Sequence, residues 1–273
     1  MADPAPLASL SVTHVYYVGP KPLLPPLPLS ASHSPSLVAN RTCNKRKDPD
    51  DKLSLFCAYL ALLPQALCVV YATLIWSTRE AEIALTFAGQ LACEALNFAL
   101  KRLIKEERPL RIHGKGYGMP SSHAQFVAFW SVSLALFVLV RHAPPRVSPA
   151  ALAERSHMNR PWSLGERAAV SVAGFAVAGL IAWSRIYLNY HTVRQVLAGA
   201  GTGVVFAVVW YVAVGVARSG GWLTWALEIP LARAMRMRDL LVEEDPCQAG
   251  WEKWEEKKRT KTKTAGGSKA KTK

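Results

Sequence analysis

The sequence predicts an all-α, polytopic membrane protein, a helical bundle of about five transmembrane spans. Three observations carry that expectation. Five apolar stretches, at residues 53–76, 83–100, 124–140, 168–183 and 196–216, are each close to the length that crosses a hydrocarbon core. Apart from Glu94, the charged residues fall before, between and after these stretches, and they are mostly basic, giving a formal net charge of +14. The connections are either short, as in STREAE, or broken by proline, as in RHAPPRVSPAALAERSHMNRPWSLGER.

Composition narrows the function classes. A basic excess can serve nucleic acid, but membrane proteins also concentrate Lys and Arg in short loops. No basic helix with interleaved aromatics accompanies the charge here, so no nucleic-acid partner is expected. Of the five cysteines, Cys57, Cys68 and Cys93 sit inside apolar runs, while Cys43 and Cys247 stand apart. None shows a C-x-x-C spacing, which argues against a disulfide framework or a zinc site.

Taken in order, residues 1–52 are expected to lack regular structure. Proline recurs through GPKPLLPPLPLSASHSP and forbids a continuous helix, so the segment does not read as a signal peptide with an unbroken apolar core. Asn40-Arg41-Thr42 is an N-glycosylation sequon. The first span is uncharged, and Pro64 is expected to kink it. In the second, Gln90, Glu94, Asn97 and Lys101 recur at intervals of four, three and four, along one helical face. A carboxylate at membrane depth should face the bundle or a wet cavity. A hydrogen-bonded packing seam and a direct role in a site fit that face equally, so Glu94 is not counted as a site residue. The fifth span opens with Gly199-Ala200-Gly201-Thr202-Gly203, small residues that let helix backbones approach. Residues 222–242 mix Trp, Leu and Met with Arg233, Arg236 and Arg238, and with Pro230 inside they fit an interfacial helix better than a sixth span. The organisation expected is a disordered segment with a Pro-rich insertion (1–52), a membrane domain (53–217), an interfacial segment (218–247) and a disordered Lys-rich tail (248–273).

The chemistry follows from which residues share a membrane face. The second span ends near Lys101 and the third begins near His123. The fourth ends and the fifth begins on that same face, which brings Ser184 to His191 alongside. Lys101, Arg108 and Arg185 can then converge with His123 and His191. Convergent guanidinium and ammonium groups suit a tetrahedral dianion. Ser122-His123-Ala124-Gln125 has the S-x-x-Q form of a capping box, which would set His123 in a first helical turn, where unpaired N–H groups favour an anion. Two imidazoles beside a phosphate permit a division of labour: one attacks phosphorus while the other protonates the departing oxygen and later activates water. The cations would stabilise the transition state. No cofactor and no metal are expected, since neither H-E-x-x-H nor G-x-x-x-x-G-K-[ST] occurs.

Taken singly, each piece is ordinary. An interfacial His more often packs or snorkels, Arg108-Pro109 alone ends a helix, and Gly114-x-Gly116-x-Gly118 follows no strand. The conjunction carries the weight. K-x6-R-P, P-S-x-H and S-R-x5-H, in that order across membrane spans, resemble the signature of the type 2 phosphatidic acid phosphatase superfamily, whose members share a helical bundle with the vanadium haloperoxidases. The resemblance implies that Lys101, Arg108 and Arg185 bind phosphate and that Ser121 and Ser122 hydrogen-bond it. It implies His123 as general acid and His191 as nucleophile. The sequence departs from the superfamily twice, with Ser122 where Gly is usual and Gln195 where Asp usually orients the nucleophile. A neutral Gln can fix the tautomer, but it stabilises an imidazolium less than a carboxylate does.

Both departures, with GKGYGMPSSHAQF (114–126) and SRIYLNYHTVRQVLAG (184–199), resemble the dolichyl-diphosphatase branch. The likeness spans residues 53–216, and residues 1–17 resemble its fungal members, which leaves 18–48 as an insertion. It implies hydrolysis of dolichyl diphosphate to dolichyl phosphate at the lumenal face of the endoplasmic reticulum, recycling the carrier for N-glycosylation. The nearest rival is a superfamily phosphatase acting on phosphatidate or another isoprenoid diphosphate. A non-catalytic lipid-binding scaffold is a more distant one, disfavoured by the intact Lys101, Arg108, His123, Arg185 and His191. A transporter is disfavoured because the basic groups cluster at one face and not at the midplane. Charge and sequence cues, including a terminal Lys269-Ala-Lys271-Thr-Lys273 that resembles a retrieval signal, predict a lumenal active site and a cytosolic C-terminus.

Overall fold

The computed structural model describes residues 52–108, 116–142, 162–242 and, in the tail, 250–251, 253–258 and 260. The Asn40 sequon, the insertion at 18–48, Pro109 and the terminal lysines lie outside the described residues. The described chain is helical: α1 (Lys52–Leu60), α2 (Leu63–Thr78), α3 (Ala81–Ile104), α4 (Ser122–Leu136), α5 (Leu164–Tyr187), α6 (Val193–Ser219), α7 (Trp222–Glu228) and α8 (Pro230–Ala234). A π-helical turn, Phe137–Arg141, continues α4. Five segments are long and apolar enough to cross a membrane: Leu55–Thr78, Ala81–Ile104, Ser122–Arg141, Leu164–Tyr187 and Val193–Ser219. The last four run past the apolar stretches, and in the second and fourth Lys101 and Arg185 belong to final helical turns that a hydropathy reading cuts off.

The first span is broken and not merely kinked. Residues 61 and 62 form a turn between α1 and α2, and Pro64 lies in the first turn of α2. Proline suits that position, since a first-turn N–H has no intrahelical partner to lose.

Helix α4 is the central post. It carries no acidic or basic residue other than His123 and has no distinct polar face, as suits a helix with neighbours on several sides. Phe126 and Val127 pack with Leu60, Ala178 and Ile181 on one side, while Phe129 packs with Cys93 and Ala207 on the other. Helix α6 lies closest to it. A Cβ on Gly199 would sit 2.5 Å from the Ser121 carbonyl oxygen, and one on Gly203 would sit 2.4 Å from that of Gln125. The small residues at the head of the fifth span therefore permit backbone contact, while Gly201 faces open space.

The polar face of α3 divides. Gln90 and Asn97 are buried: Gln90 Nε2 donates to the Phe126 carbonyl at 3.3 Å and Asn97 Nδ2 to Gln125 Oε1 at 2.7 Å. Gln125 Nε2 completes the seam on the Cys93 carbonyl, also at 2.7 Å. Glu94 is exposed at the edge of that seam, where its charge acts on Lys101 and on Cys68 of α2. A four-residue step turns the helix by more than one full revolution, enough to move a side chain from the seam to its edge.

The opposite end of the bundle is tied by charge. Glu82 pairs with Arg141 at 2.9 Å and with Arg218 at 2.5 Å, and Arg218 also pairs with Asp239. Glu80, fully buried, meets Arg238 at 2.7 Å and accepts the backbone N–H groups of Leu240 and Leu241. The segment after α8 is thereby held against the start of α3. Between them, residues 222–234 form two short helices where the composition predicts one, because Pro230 opens a new helix. Residues 250–251, 253–258 and 260, in the tail expected to be disordered, are helical. The outward faces of the spans carry Val69, Leu74, Phe98, Val172, Val205 and Val209 exposed, a surface suited to lipid.

Candidate active site

Four helix ends meet at the face opposite the charged clasp: the C-termini of α3 and α5 and the N-termini of α4 and α6. They bring the residues singled out in the sequence together. Lys101 lies in the last turn of α3 and Arg185 in the last turn of α5. Arg108 follows α3, Ser121 is the N-cap of α4, and Ser122 and His123 open that helix. Arg185 acts electrostatically on His123, as do His191 and Lys101, so the cations and imidazoles share one cluster.

The segment after α5 turns tightly to deliver His191. The Arg185 carbonyl accepts the N–H groups of Tyr190 at 3.0 Å and His191 at 3.3 Å, and Asn189 takes a positive φ of 57°. Asparagine tolerates that left-handed conformation better than most residues. Helix α6 then starts with a capping box. The Thr192 side chain accepts the N–H of Gln195, and Gln195 Oε1 accepts that of Thr192. The same Oε1 faces His191 Nδ1 at 3.2 Å. An amide oxygen only accepts, so Nδ1 carries the proton and the Nε2 lone pair is left free. Burial pushes His191 down to about 3, with Arg108 and Arg185 adding to the shift and the Gln195 hydrogen bond opposing it. The ring is therefore neutral at neutral pH.

His123 is held differently. Its Nε2 lies 3.1 Å from the Ala61 carbonyl, at the break in the first span. A carbonyl accepts, so Nε2 carries a proton there, and Nδ1 is the nitrogen left to take a second one. The capping box expected at Ser122–Gln125 does not form. Ser121 is the N-cap and makes no side-chain cap bond, while Gln125 turns into the core to bind Asn97 and Cys93. A buried amide gains more from satisfied partners there than from one exposed backbone N–H.

Several donors face this cluster without a partner among the described residues. They are Ser121 Oγ, Arg108 Nε, and Arg185 Nε and Nη1, all buried. Buried donors left in this state are costly unless an acceptor joins them, and a phosphate offers acceptors on every side. Ser122 is half-buried at the rim of the same turn. Burial draws the Arg108 guanidinium below its ordinary value, with Tyr190 opposing the shift.

Three participants lie within these runs at positions to which the motifs give no role. The Arg185 guanidinium stacks over the Tyr190 ring at 4.4 Å, which fixes the plane it presents. Gly118 lies where a Cβ would come 2.8 Å from Gln195 Nε2 and 3.0 Å from Arg108, so the loop passes between them only as glycine. Glu106 Oε1 accepts from Gln195 Nε2 at 3.0 Å. A carboxylate pair, Glu106-Glu107, within a phosphate-binding K-x6-R-P run was the available signal for the last.

A family model described as the PAP2 superfamily matches residues 82–219. The chain is similar to a Neurospora crassa protein named "Putative dolichyldiphosphatase", with 48% identity over 94% of this chain and 95% of that one. It is similar to "Dolichyldiphosphatase" of Saccharomyces cerevisiae at 28% identity, covering 70% of this chain and 77% of the relative. Against "Dolichyldiphosphatase 1" of Homo sapiens the identity is 38%, covering 57% and 62%. A solved transmembrane PAP2 type phosphatidylglycerolphosphate phosphatase from Bacillus subtilis matches with a TM-score of 0.45 and 21% identity, over 64% of this chain and 85% of that one.

Proposed function

Because the chain belongs to the PAP2 superfamily, we propose that it is an integral membrane phosphatase that hydrolyses dolichyl diphosphate to dolichyl phosphate and inorganic phosphate. One observation carries the reading: His191, with Nδ1 turned to Gln195 Oε1 and Nε2 left for attack, sits among buried cationic donors that have no acceptor among the described residues. The substrate class rests on the near full-length similarity to a relative whose name gives that activity.

The terminal phosphate would be held by Lys101, Arg108 and Arg185, with Ser121 and Ser122 donating hydrogen bonds. His191 Nε2 attacks the terminal phosphorus, the bond to the bridging oxygen breaks, and that oxygen leaves with the electron pair. His123, protonated at Nδ1, gives up that proton to the departing dolichyl phosphate. The same nitrogen then takes a proton from water, whose oxygen displaces His191 and releases phosphate. The cations neutralise charge on the equatorial oxygens throughout. On this reading the protein resides in the endoplasmic-reticulum membrane with its site toward the lumen, returning the carrier lipid to N-glycosylation. The polyisoprenoid stays in lipid beside the bundle.

Purified protein should release phosphate from dolichyl diphosphate faster than from phosphatidate or a shorter isoprenoid diphosphate, and should keep that activity in EDTA. An acid quench should trap a phosphoenzyme that is lost in His191→Ala. His123→Ala should turn over more slowly yet still trap some intermediate. Phosphohistidine in His191→Ala, or a preference for phosphatidate, would refute the assignment.

A further inference from the structure

Gln195 occupies the place where an aspartate usually orients the nucleophile, and its surroundings supply a carboxylate one step further out. The side chain is fully buried, and both ends of its amide are engaged. Oε1 faces Thr192 N–H and His191 Nδ1, each at 3.2 Å. Nε2 donates to the Glu107 carbonyl at 2.9 Å and to Glu106 Oε1 at 3.0 Å. Turning the amide over would set NH2 against the Thr192 N–H and the oxygen against two acceptors, so its direction is fixed. Glu106 is itself anchored, since its backbone carbonyl accepts the Gly118 N–H at 2.6 Å. The segment that carries Lys101 and Arg108 is thus joined to the loop before Ser121 and to the start of α6.

On the reading of His191 as nucleophile, we propose that Glu106 is a positioning residue that acts on His191 through Gln195. A carboxylate close to phosphate-binding cations would repel a dianionic substrate if its charge faced the phosphate. Here it is spent on the Gln195 NH2. An amide that donates to an anion becomes a stronger acceptor at its oxygen, because hydrogen bonds in series polarise one another. The Nδ1–H bond therefore strengthens as the ring becomes positive. That happens when the Nε2 lone pair forms the N–P bond and the P–O bond to the leaving dolichyl phosphate breaks. The Nδ1 proton stays on the ring throughout, and the ring returns to neutral when water displaces it. Gln195 alone would hold the tautomer, and Glu106 adds the charge that a neutral amide lacks.

The test uses full-length protein in detergent and dolichyl diphosphate labelled at the terminal phosphorus, with single-turnover phosphoenzyme formation as the readout. Glu106→Gln keeps size and hydrogen-bonding reach but removes the charge. It should slow phosphoenzyme formation about tenfold or more, the scale of one charge-assisted hydrogen bond, with little change in KM. Gln195→Glu sets two carboxylates face to face and should be slower still. The swap, Glu106→Gln with Gln195→Glu, restores one charge and one donor between the positions and should be faster than Gln195→Glu alone. A Glu106→Gln rate equal to wild type, or a swap whose losses simply multiply, would overturn the proposal while leaving His191 as nucleophile. Failure of wild type to form any phosphoenzyme at His191 would overturn both.

Discussion

Which nitrogen of His191 can attack depends on a single proton. Gln195 Oε1 can only accept, so the proton resides on Nδ1 and Nε2 keeps its lone pair. Burial then decides how often that lone pair is present. With the imidazole pushed down to about 3, the proton that would block Nε2 is absent from neutral pH to well into the acid range. A histidine at its ordinary value would be half-protonated near pH 6.5 and would lose half its nucleophile there. Nitrogen-15 shifts of labelled imidazole should therefore show His191 neutral, protonated at Nδ1, from about pH 8 down to about pH 5. The signal is identified by its loss in His191→Ala. An imidazolium pattern at about pH 6, or a proton on Nε2, would contradict this account. Vanadate, by bringing negative charge to the site, should move the titration upward, since an adjacent anion favours the charged ring.

Helix packing sets whether these side chains meet at all, and here the sequence is informative in an uneven way. Order and spacing of K-x6-R-P, P-S-x-H and S-R-x5-H reveal Lys101, Arg108, His123, Arg185 and His191 because each motif falls at a helix end, and antiparallel neighbours bring alternate ends to one face. The direction of an individual side chain is not written in that way. Gln125 matches a capping box by spacing, yet it turns inward because Asn97 and the Cys93 carbonyl offer buried partners contributed by a different helix. Glu106 falls at an open position of K-x6-R-P, and its role is not legible there, since its partner Gln195 is 89 residues away and the two meet only once α3 and α6 are packed. The glycines at the head of α6 divide by what they face. Gly199→Ala would drive a Cβ into the Ser121 carbonyl, whereas at Gly201 nothing lies within 4 Å. Gly199→Ala should cost about 1–3 kcal/mol of stability, the usual range for overpacking. It should lower turnover too, by displacing Ser121. Gly201→Ala should leave both nearly unchanged. Thermal unfolding and turnover measured on the pair separate the two, and equal effects would show that α6 does not approach α4 through Gly199.

The whole molecule has two chemically distinct ends, and this makes its orientation testable. Lys101, Arg108, Arg185 and the histidines gather at the end where α4 and α6 begin. The clasp of Glu80, Glu82, Arg141, Arg218, Arg238 and Asp239 closes the other and holds the chain after α8 there. With five spans, the C-terminal tail must therefore leave from the face opposite the site. Of the 33 Lys and Arg, nineteen fall on that C-terminal side: Arg79, five from Arg141 to Arg167, and thirteen from Arg218 onward. The fourteen on the site's side include three that a phosphate would engage. Basic residues near span ends are retained in the cytosol, although distant tail lysines weigh less than those in short loops. Arg141 and Arg218 sit at span ends and count fully, even paired to Glu82, because acidic residues contribute little to the rule. This favours a cytosolic tail and a lumenal site, an orientation that also makes the Asn40 sequon accessible to glycosylation. Sealed microsomes carrying a C-terminal epitope tag provide the measurement. The tag should be lost to added protease without detergent, while a second tag placed before residue 52 should survive until the membrane is dissolved. A protected C-terminal tag would invert the protein, placing the phosphate site and its dolichyl diphosphate on the cytosolic face.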